Sequence, residues 1–135
     1  MKKNTIISFL LLITVCIFSL GCSSKTEKVA NAKDVRRYSA ETLIRDYRSN
    51  EAAADQKYKD KIIEVTGLVD AVAKRGSNYE VTISKDGNSV ISSVACEFGD
   101  PKGVSSLRQG EYVTIRGIGN GKSILPQLEY CILIK

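Results

Sequence analysis

Cysteine and carboxylate side chains are the residue types of this sequence that could do chemistry. The 135-residue chain has four cysteines, Cys16, Cys22, Cys96 and Cys131, and no histidine. Without an imidazole there can be no Ser-His-Asp or Cys-His nucleophile and no His-ligated zinc. No two cysteines form a C-x-x-C motif, which disfavours metal binding and thioredoxin-like exchange. The sequence therefore predicts a protein without a metal or a cofactor.

Glu80 and Glu97 are the remaining candidates for catalysis, because two carboxylates on neighbouring strands could act as a general acid and a general base. A carboxylate pair on the outside of a small domain lacks the enclosing cleft that shifts pKa values. We therefore expect these two residues to be surface acids, and the chain is predicted not to be an enzyme.

The first 21 residues have the order of a secretory signal peptide. Two lysines near the start precede residues 6–20, which are uncharged and apolar apart from three hydroxyl residues. That stretch is shorter than the roughly 20 apolar residues of a membrane span and matches the h-region of a signal peptide. Gly21-Cys22 then resembles the lipobox of bacterial lipoproteins, which implies diacylglycerol on the Cys22 sulfur. Ser19 stands where a lipobox usually has leucine, so an ordinary cleaved signal and an uncleaved anchor are the alternatives.

A lipid on Cys22 would anchor the chain to a membrane of the cell envelope, facing an extracytoplasmic compartment. Ser23 follows in place of aspartate, which favours the outer membrane where the host has one. Residues 22–37 contain little to bury and predict a flexible tether. The net charge of +5 divides into +2 for residues 1–21, +3 for residues 22–37 and zero for residues 38–135. The basic character therefore belongs to export and tethering.

Residues 38–135 are predicted to form one domain that begins with an amphipathic helix over residues 39–58. Ser39 is a suitable N-cap, and Leu43, Ile44 and Tyr47 fall on one helical face. We expect a break near Ser49-Asn50, where Asn50 could cap a second helical segment.

The rest of the domain, residues 61–135, is predicted to be β. Strands are predicted at 62–72, 79–84, 89–98, 111–119 and 128–134, with a helical turn around 104–107. Gly67 suggests a bulge or bend in the first strand, and Asp86-Gly87 marks a hairpin. A long first strand and a long third connection fit a mainly β, five-stranded Greek-key barrel, the OB-fold. A five-stranded open sheet and an SH3-like barrel are the alternatives.

Cys96 and Cys131 are predicted to form a disulfide. An exported domain folds in an oxidising compartment, and the third and fifth strands of an OB-fold are neighbours. The bond would close a loop of about 36 residues and contribute on the order of 4 kcal/mol. Two free buried thiols are the alternative.

The order of residues along the domain is similar to that of exported bacterial domains of the tRNA-anti-like OB-fold family. The matching positions are Leu43, Tyr47, Asn50, Glu51, Ala54, Asp55, 58–61, Ile63, 65–67, Val69, Val94, Cys96, Phe98, Leu107, Gly110, 113–115, Gly117, Leu128, Cys131 and Leu133. The resemblance spans nearly all of residues 40–135. It implies an OB barrel behind an N-terminal helix, often on a lipoprotein, and it implies little about activity.

OB-folds usually bind ligands over the outer face of the second and third strands and the adjoining loops. The candidate ligand-binding residues are Glu80, Thr82 and Glu97 on that face, with Lys74, Arg75 and Lys122 in loops. The face has acids and hydroxyls but no aromatic or basic residue, whereas binders of single-stranded nucleic acid need both.

The expected partner is therefore an envelope protein, a cationic peptide or a glycan, held by a monomer, and nucleic acid is disfavoured. Binding of single-stranded nucleic acid and a purely structural docking role remain the alternatives.

Overall fold

The computed structural model describes residues 23–89 and 91–134. Its elements in chain order are α1 (Lys25–Asn31), β1 (Arg36–Ser39), α2 (Ala40–Ser49), α3 (Glu51–Tyr58), β2 (Ile62–Arg75), β3 (Asn78–Ser84), β4 (Val94–Phe98), β5 (Tyr112–Lys122) and β6 (Pro126–Leu133). The predicted signal peptide and Cys22 lie outside the described residues. The helices within residues 23–89 and 91–134 do not meet the length and hydropathy that a membrane span requires.

Strands β2 to β6 close into the predicted five-stranded barrel. The strand order is β2-β3-β4-β6-β5, and β5 pairs back with β2, which rules out an open sheet. β4 and β6 run parallel, with Cys96 opposite Leu128, and the other barrel pairs are antiparallel. The third and fifth barrel strands are therefore neighbours, as expected for an OB-fold.

The barrel interior is filled by aliphatic side chains that recur at every second position of the strands. Its members include Val65, Val69, Val81, Ile83, Val94, Val113, Ile115 and Leu128. β-Branched side chains favour strands because they pack well on a pleated surface. Alternation of apolar and polar residues thus specifies both the strands and the side of each strand that is buried.

The predicted helix over residues 39–58 is confirmed as two helices that meet at Asn50. The Ser39 hydroxyl accepts a hydrogen bond from the Thr42 amide at 3.1 Å, and Asn50 Oδ1 accepts one from the Ala53 amide at 3.1 Å. Each cap pairs an amide that has no partner inside its helix. α2 buries Leu43, Ile44 and Tyr47 on one face, as the sequence pattern predicts.

Residues 24–37, which were predicted to be a flexible tether, are packed against the barrel. Ser24 caps α1, and α1 packs on β5 and β6 with the Val29 side chain completely buried. β1 then pairs in parallel with β2, from Arg36 opposite Ile63 onward. The sequence shows a mostly polar segment, and it cannot show that the barrel buries Val29 and supplies the partners that hold the segment.

The strand that was predicted at residues 89–98 is β4, and it begins later than predicted because a loop follows β3. Asp70 accepts hydrogen bonds from the Ser84 hydroxyl (2.7 Å), the Ser89 amide (2.9 Å) and the Ser93 hydroxyl (2.6 Å). These bonds hold the described residues of 85–93 as a loop, so β4 starts at Val94 rather than at residue 89.

Several other strand boundaries differ from the sequence prediction by one to three residues. β5 continues to Lys122, beyond the end predicted at residue 119. The helical turn predicted around residues 104–107 is a short run of turns over residues 102–106, in which the Val104 and Ser105 amides both bond to the Pro101 carbonyl at 3.1 Å.

Candidate ligand-binding groove

A groove of about 290 Å³ crosses the outer face of β2 and β3. Its lining residues are Asp70, Ala71, Ala73, Arg75, Glu80, Thr82, Asn88, Ser89, Gln109 and Leu125. This set, called the strand groove below, lies on the face where OB-folds usually bind their ligands. It brings together three of the predicted ligand-binding residues, namely Arg75, Glu80 and Thr82.

A β-bulge at Asp70 gives the strand groove its floor. Val69 pairs with Ile83 and Ala71 pairs with Thr82, so Asp70 is the extra residue. An extra residue reverses which side of the barrel each later position faces. Val69 is therefore buried whereas Ala71 is exposed. Without the bulge, the odd-numbered residues that follow would point into the core.

Gly67, which the sequence suggests as the site of a bulge or bend, is not the bulged residue. A Cβ atom at this position would lie 2.8 Å from the Ser84 carbonyl oxygen and 3.2 Å from the Ala40 Cβ. Glycine is thus required because β3 and α2 approach the backbone closely. The predicted irregularity in the first barrel strand, β2, is present, but it lies at Asp70, three residues after Gly67.

Carboxylates cluster at one end of the strand groove. Glu80 on β3 pairs with Glu97 on β4, as predicted, and Glu129 of β6 lines the same small depression. We call Glu80, Glu97 and Glu129 the acidic patch. Arg75 Nη2 lies 3.3 Å from a Glu80 carboxylate oxygen, and Asn78 donates a hydrogen bond to Glu97 at 2.9 Å. One exposed arginine therefore balances only part of the negative charge.

Two predicted ligand-binding residues lie elsewhere. Lys74 is exposed on β2 but pairs with Tyr79, and Tyr79 packs against the core, so Lys74 is on the other face of the strand from the groove. Lys122 Nζ lies 3.5 Å from a Glu51 carboxylate oxygen at the start of α3. These lysines are not part of the strand groove because the alternation and the ion pair direct them away from it.

Sequence reasoning missed most of the groove floor. Ala71, Ala73 and Leu125 were not singled out, and neither was Asp70. The available signal was the small-residue pattern Ala71-x-Ala73 beside an acid in the first barrel strand. That pattern becomes meaningful only when the bulge is known to turn it outward.

Cys96 and Cys131 lie together in the barrel wall. The two side chains are 0% and 4% exposed, and both are free thiols. Burial raises the pKa of the Cys131 thiol well above its usual value, with the Cys96 contact adding to the effect. The structure has two free thiols in place of the predicted disulfide. The topology has thus brought the pair into contact, and the disulfide stays a prediction.

A cluster of shifted pKa values lies away from the groove, where α2 meets α3. Burial and a 2.6 Å hydrogen bond to Asp46 raise the pKa of Tyr58 to about 12. A hydrogen bond from Lys57 holds the pKa of Asp46 below its usual value. Each charge in this cluster has a partner, so its role is to tie the two helices together.

The closed barrel, its strand order and the preceding helices define an OB-fold protein. The chain belongs to the tRNA_anti-like family, whose model matches residues 1–132. This result confirms the family resemblance that the sequence indicated.

Two solved structures show the same fold. A lipoprotein of Klebsiella pneumoniae, described as a candidate nucleic acid-binding protein, has a TM-score of 0.62 and 24% identity over 75% of this chain and 92% of the lipoprotein. A candidate aspartyl-tRNA synthetase of Leishmania major has a TM-score of 0.50 and 10% identity over 77% of this chain and 21% of the synthetase. No curated protein matches the chain in sequence. At these identities the similarity concerns the fold.

Proposed function

We propose that this chain is a non-catalytic OB-fold binding module, monomeric and held at an envelope membrane by lipid on Cys22. Its strand groove would take an extended protein or peptide segment that carries a basic side chain. The single observation behind the ligand class is the groove itself: carboxylates stand beside a floor of small apolar side chains.

The groove floor suits a peptide backbone. Ala71 and Ala73 project only a methyl group, so a bound chain can approach β2 closely, and Leu125 offers apolar contact at the rim. The volume is at the lower end of the roughly 300–1,000 Å³ found for ligand sites. It accommodates a few residues, so the expected affinity is on the order of micromolar or weaker.

The acidic patch supplies charge complementarity to a lysine or an arginine. Glu80 and Glu97 stand directly opposite each other, and Arg75, the one basic residue among the described lining residues, already contacts Glu80. A ligand cation near these acids relieves the repulsion between them. Charge at an exposed site of this kind contributes mainly to specificity and association rate.

Single-stranded nucleic acid is the second candidate ligand, favoured by the description of the Klebsiella lipoprotein. Among the described residues that line the strand groove there is no aromatic ring. Base stacking contributes roughly 1–3 kcal/mol per base in such binders, and phosphates require an unpaired basic surface. The strand groove offers neither feature, so we rank the peptide first. A neutral glycan, bound through Thr82, Asn88 and Gln109, would use the same groove.

Fluorescence polarisation at low salt tests the ligand class. The probes are labelled peptides with and without lysine or arginine, a labelled neutral oligosaccharide, and labelled single-stranded DNA. The expected result is binding of the basic peptides that weakens several-fold in the Glu80→Gln/Glu97→Gln variant. Glu27→Gln on α1 removes an exposed acid remote from the groove and should leave binding unchanged. Tight, salt-sensitive binding of DNA, or basic-peptide binding indifferent to the two groove substitutions, would overturn the peptide assignment.

Fractionation of cells tests the anchor. The wild-type chain should incorporate labelled fatty acid and sediment with membranes, whereas Cys22→Ala should do neither. Membrane association of the wild-type chain without fatty-acid incorporation would indicate an uncleaved anchor instead.

A further inference from the structure

We propose that α1 fixes the barrel against the membrane, with the α1 side next to the lipid headgroups and the strand groove turned away from them. The proposal rests on the lipid anchor at Cys22 that is part of the proposed function. Its starting point is the docked segment that replaces the expected flexible tether.

The barrel contacts α1 at two places, the Val29 side chain and the C-terminal end of the helix. Val29 is fully buried on β5 and β6. Arg116 Nη1 on β5 donates hydrogen bonds to the Val29, Ala30 and Ala32 carbonyl oxygens at 3.2–3.3 Å. These carbonyls have no partner within the helix, so a charged donor satisfies them and stabilises the helix end.

Arg116 is itself fixed by a buried carboxylate. Its Nε and Nη2 atoms lie 3.1 and 2.8 Å from Glu64 Oε1, and Arg37 Nε lies 2.8 Å from Glu64 Oε2. The Glu64 side chain is only 6% exposed. β1 continues from the same region and pairs with β2. The connection between α1 and the barrel is therefore rigid from Ser24 onward.

The distance from the anchor to this rigid body is short. One residue, Ser23, separates Cys22 from the helix cap Ser24. Two peptide units reach at most about 7 Å. A lipid on Cys22 therefore cannot let the domain move far from the bilayer, and the start of α1 must lie at the headgroup level.

The surface around α1 is weakly positive, because Lys25, Lys28 and Lys33 outnumber Glu27 and Asp34. Lys25, Lys28 and Lys33 are exposed, and no ion pair involves them within residues 23–89 and 91–134. Lys25 Nζ lies 4.8 Å from the Tyr130 ring centroid on β6, which places that lysine over the barrel strand. Basic residues close to a bilayer are attracted to anionic headgroups.

Most of the strand groove is carried by other strands, whereas Leu125 in the β5–β6 turn and Glu129 of the acidic patch on β6 come from the strands beneath α1. Glu80 and Thr82 are on β3, and β3 pairs with β2 and β4 but with neither of the strands beneath α1. A domain held through α1 therefore presents the groove to the compartment rather than to the lipid. This orientation leaves the groove accessible to an extended partner.

Photo-crosslinking from lipid headgroups tests the orientation. The lipidated full chain is purified from bacterial membranes and reconstituted in phosphatidylglycerol/phosphatidylcholine vesicles that contain a diazirine-headgroup lipid. Adducts are then mapped by peptide mass spectrometry. We expect several-fold more adducts in residues 25–33 and around Tyr130 than in residues 71–82. Equal adduct yields in the two regions would overturn the proposal.

A linker variant provides the matched control. A flexible Gly-Ser linker of about 16 residues between Cys22 and Ser23 spans roughly 20–24 Å and leaves every residue of the barrel unchanged. The linker should remove the excess of adducts in residues 25–33 over residues 71–82. An excess that persists would show that the short connection to Cys22 does not orient the domain. The mass of the N-terminal peptide reports the lipid separately. A chain without lipid refutes the anchor and this orientation, whereas a lipidated chain with uniform adducts refutes the orientation alone.

Discussion

Arg116→Ala is expected to destabilise the barrel and release α1. In the wild-type structure Arg116 makes a two-point contact with Glu64 and three hydrogen bonds to carbonyl oxygens at the end of α1. The substitution leaves Glu64 buried, with the largely exposed Arg37 as its remaining basic partner. Breaking a fully buried ion pair costs about 3–5 kcal/mol, and a hydrogen bond to a charged group contributes about 1.5–3 kcal/mol. Because Arg37 compensates in part, we expect a loss of about 2–4 kcal/mol.

The loss of folding stability in Arg116→Ala should also depend on pH. Burial raises the pKa of Glu64, but hydrogen bonds from Arg116 and Arg37 outweigh it and hold the pKa below the usual 4.5. A carboxyl whose pKa is lower in the folded state contributes stability above its unfolded pKa. That contribution is lost as the pH falls through the lowered folded value. The destabilisation by Arg116→Ala should therefore be large near neutral pH and shrink in acid.

Urea unfolding followed by circular dichroism measures both effects. The Cys22→Ser chain without its signal peptide is unfolded near neutral pH and again in acid, for wild type, Arg116→Ala and Arg37→Ala. The Arg37 side chain is 58% exposed, so its removal should cost about 1 kcal/mol or less. Equal losses for the two arginine substitutions, or an Arg116→Ala loss that does not change with pH, would refute the reasoning.

Three further predictions concern the barrel and its helices. Gly119→Ala places a methyl group on the carbonyl oxygen at the end of α3 and should cost at least about 3 kcal/mol in urea unfolding. Gly99→Ala meets nothing within 4 Å, and an equal loss there would contradict the argument. Asn50→Ala removes the cap of α3 and should cost about 1 kcal/mol in thermal unfolding; an unchanged melting temperature would show that the cap is dispensable. Protein exported to an oxidising compartment should show a Cys96–Cys131 bond by mass spectrometry, with reduction lowering stability by up to about 4 kcal/mol. Alkylation of both thiols in unreduced protein would contradict the disulfide.

The barrel could be predicted because the sequence signals for its strands and helices come from residues close together in the chain. Alternating apolar residues identify the strands, and the Ser39 and Asn50 side chains fix where the two helices begin. The long third connection then distinguishes a closed Greek-key barrel from a simple meander. Each of these signals is readable within a short window of sequence.

The docked α1 was not predictable because its partners are remote in sequence. Val29 is one apolar residue in a polar segment, and the stabilising contacts come from Arg116, more than eighty residues later. Composition alone makes such a segment resemble a linker. Only the closed barrel shows that Arg116 and Glu64 stand beside the helix end.

The candidate site was predictable in part for a similar reason. Glu80 and Thr82 follow from simple alternation along β3, and Glu97 follows from pairing with β4. Ala71 depends on the bulge at Asp70, and a single inserted residue exchanges the buried and exposed sides. No pattern in the sequence locates that bulge.

Two-dimensional amide NMR of the isotope-labelled domain, titrated with a basic peptide, tests the proposed function most directly. The peptide should shift the Ala71, Ala73 and Thr82 amides first, together with Leu125 in the β5–β6 turn, and Glu80→Gln should weaken the shifts. Shifts confined to α2 and the loop after β3, or shifts produced by single-stranded DNA but not by the peptide, would contradict the account.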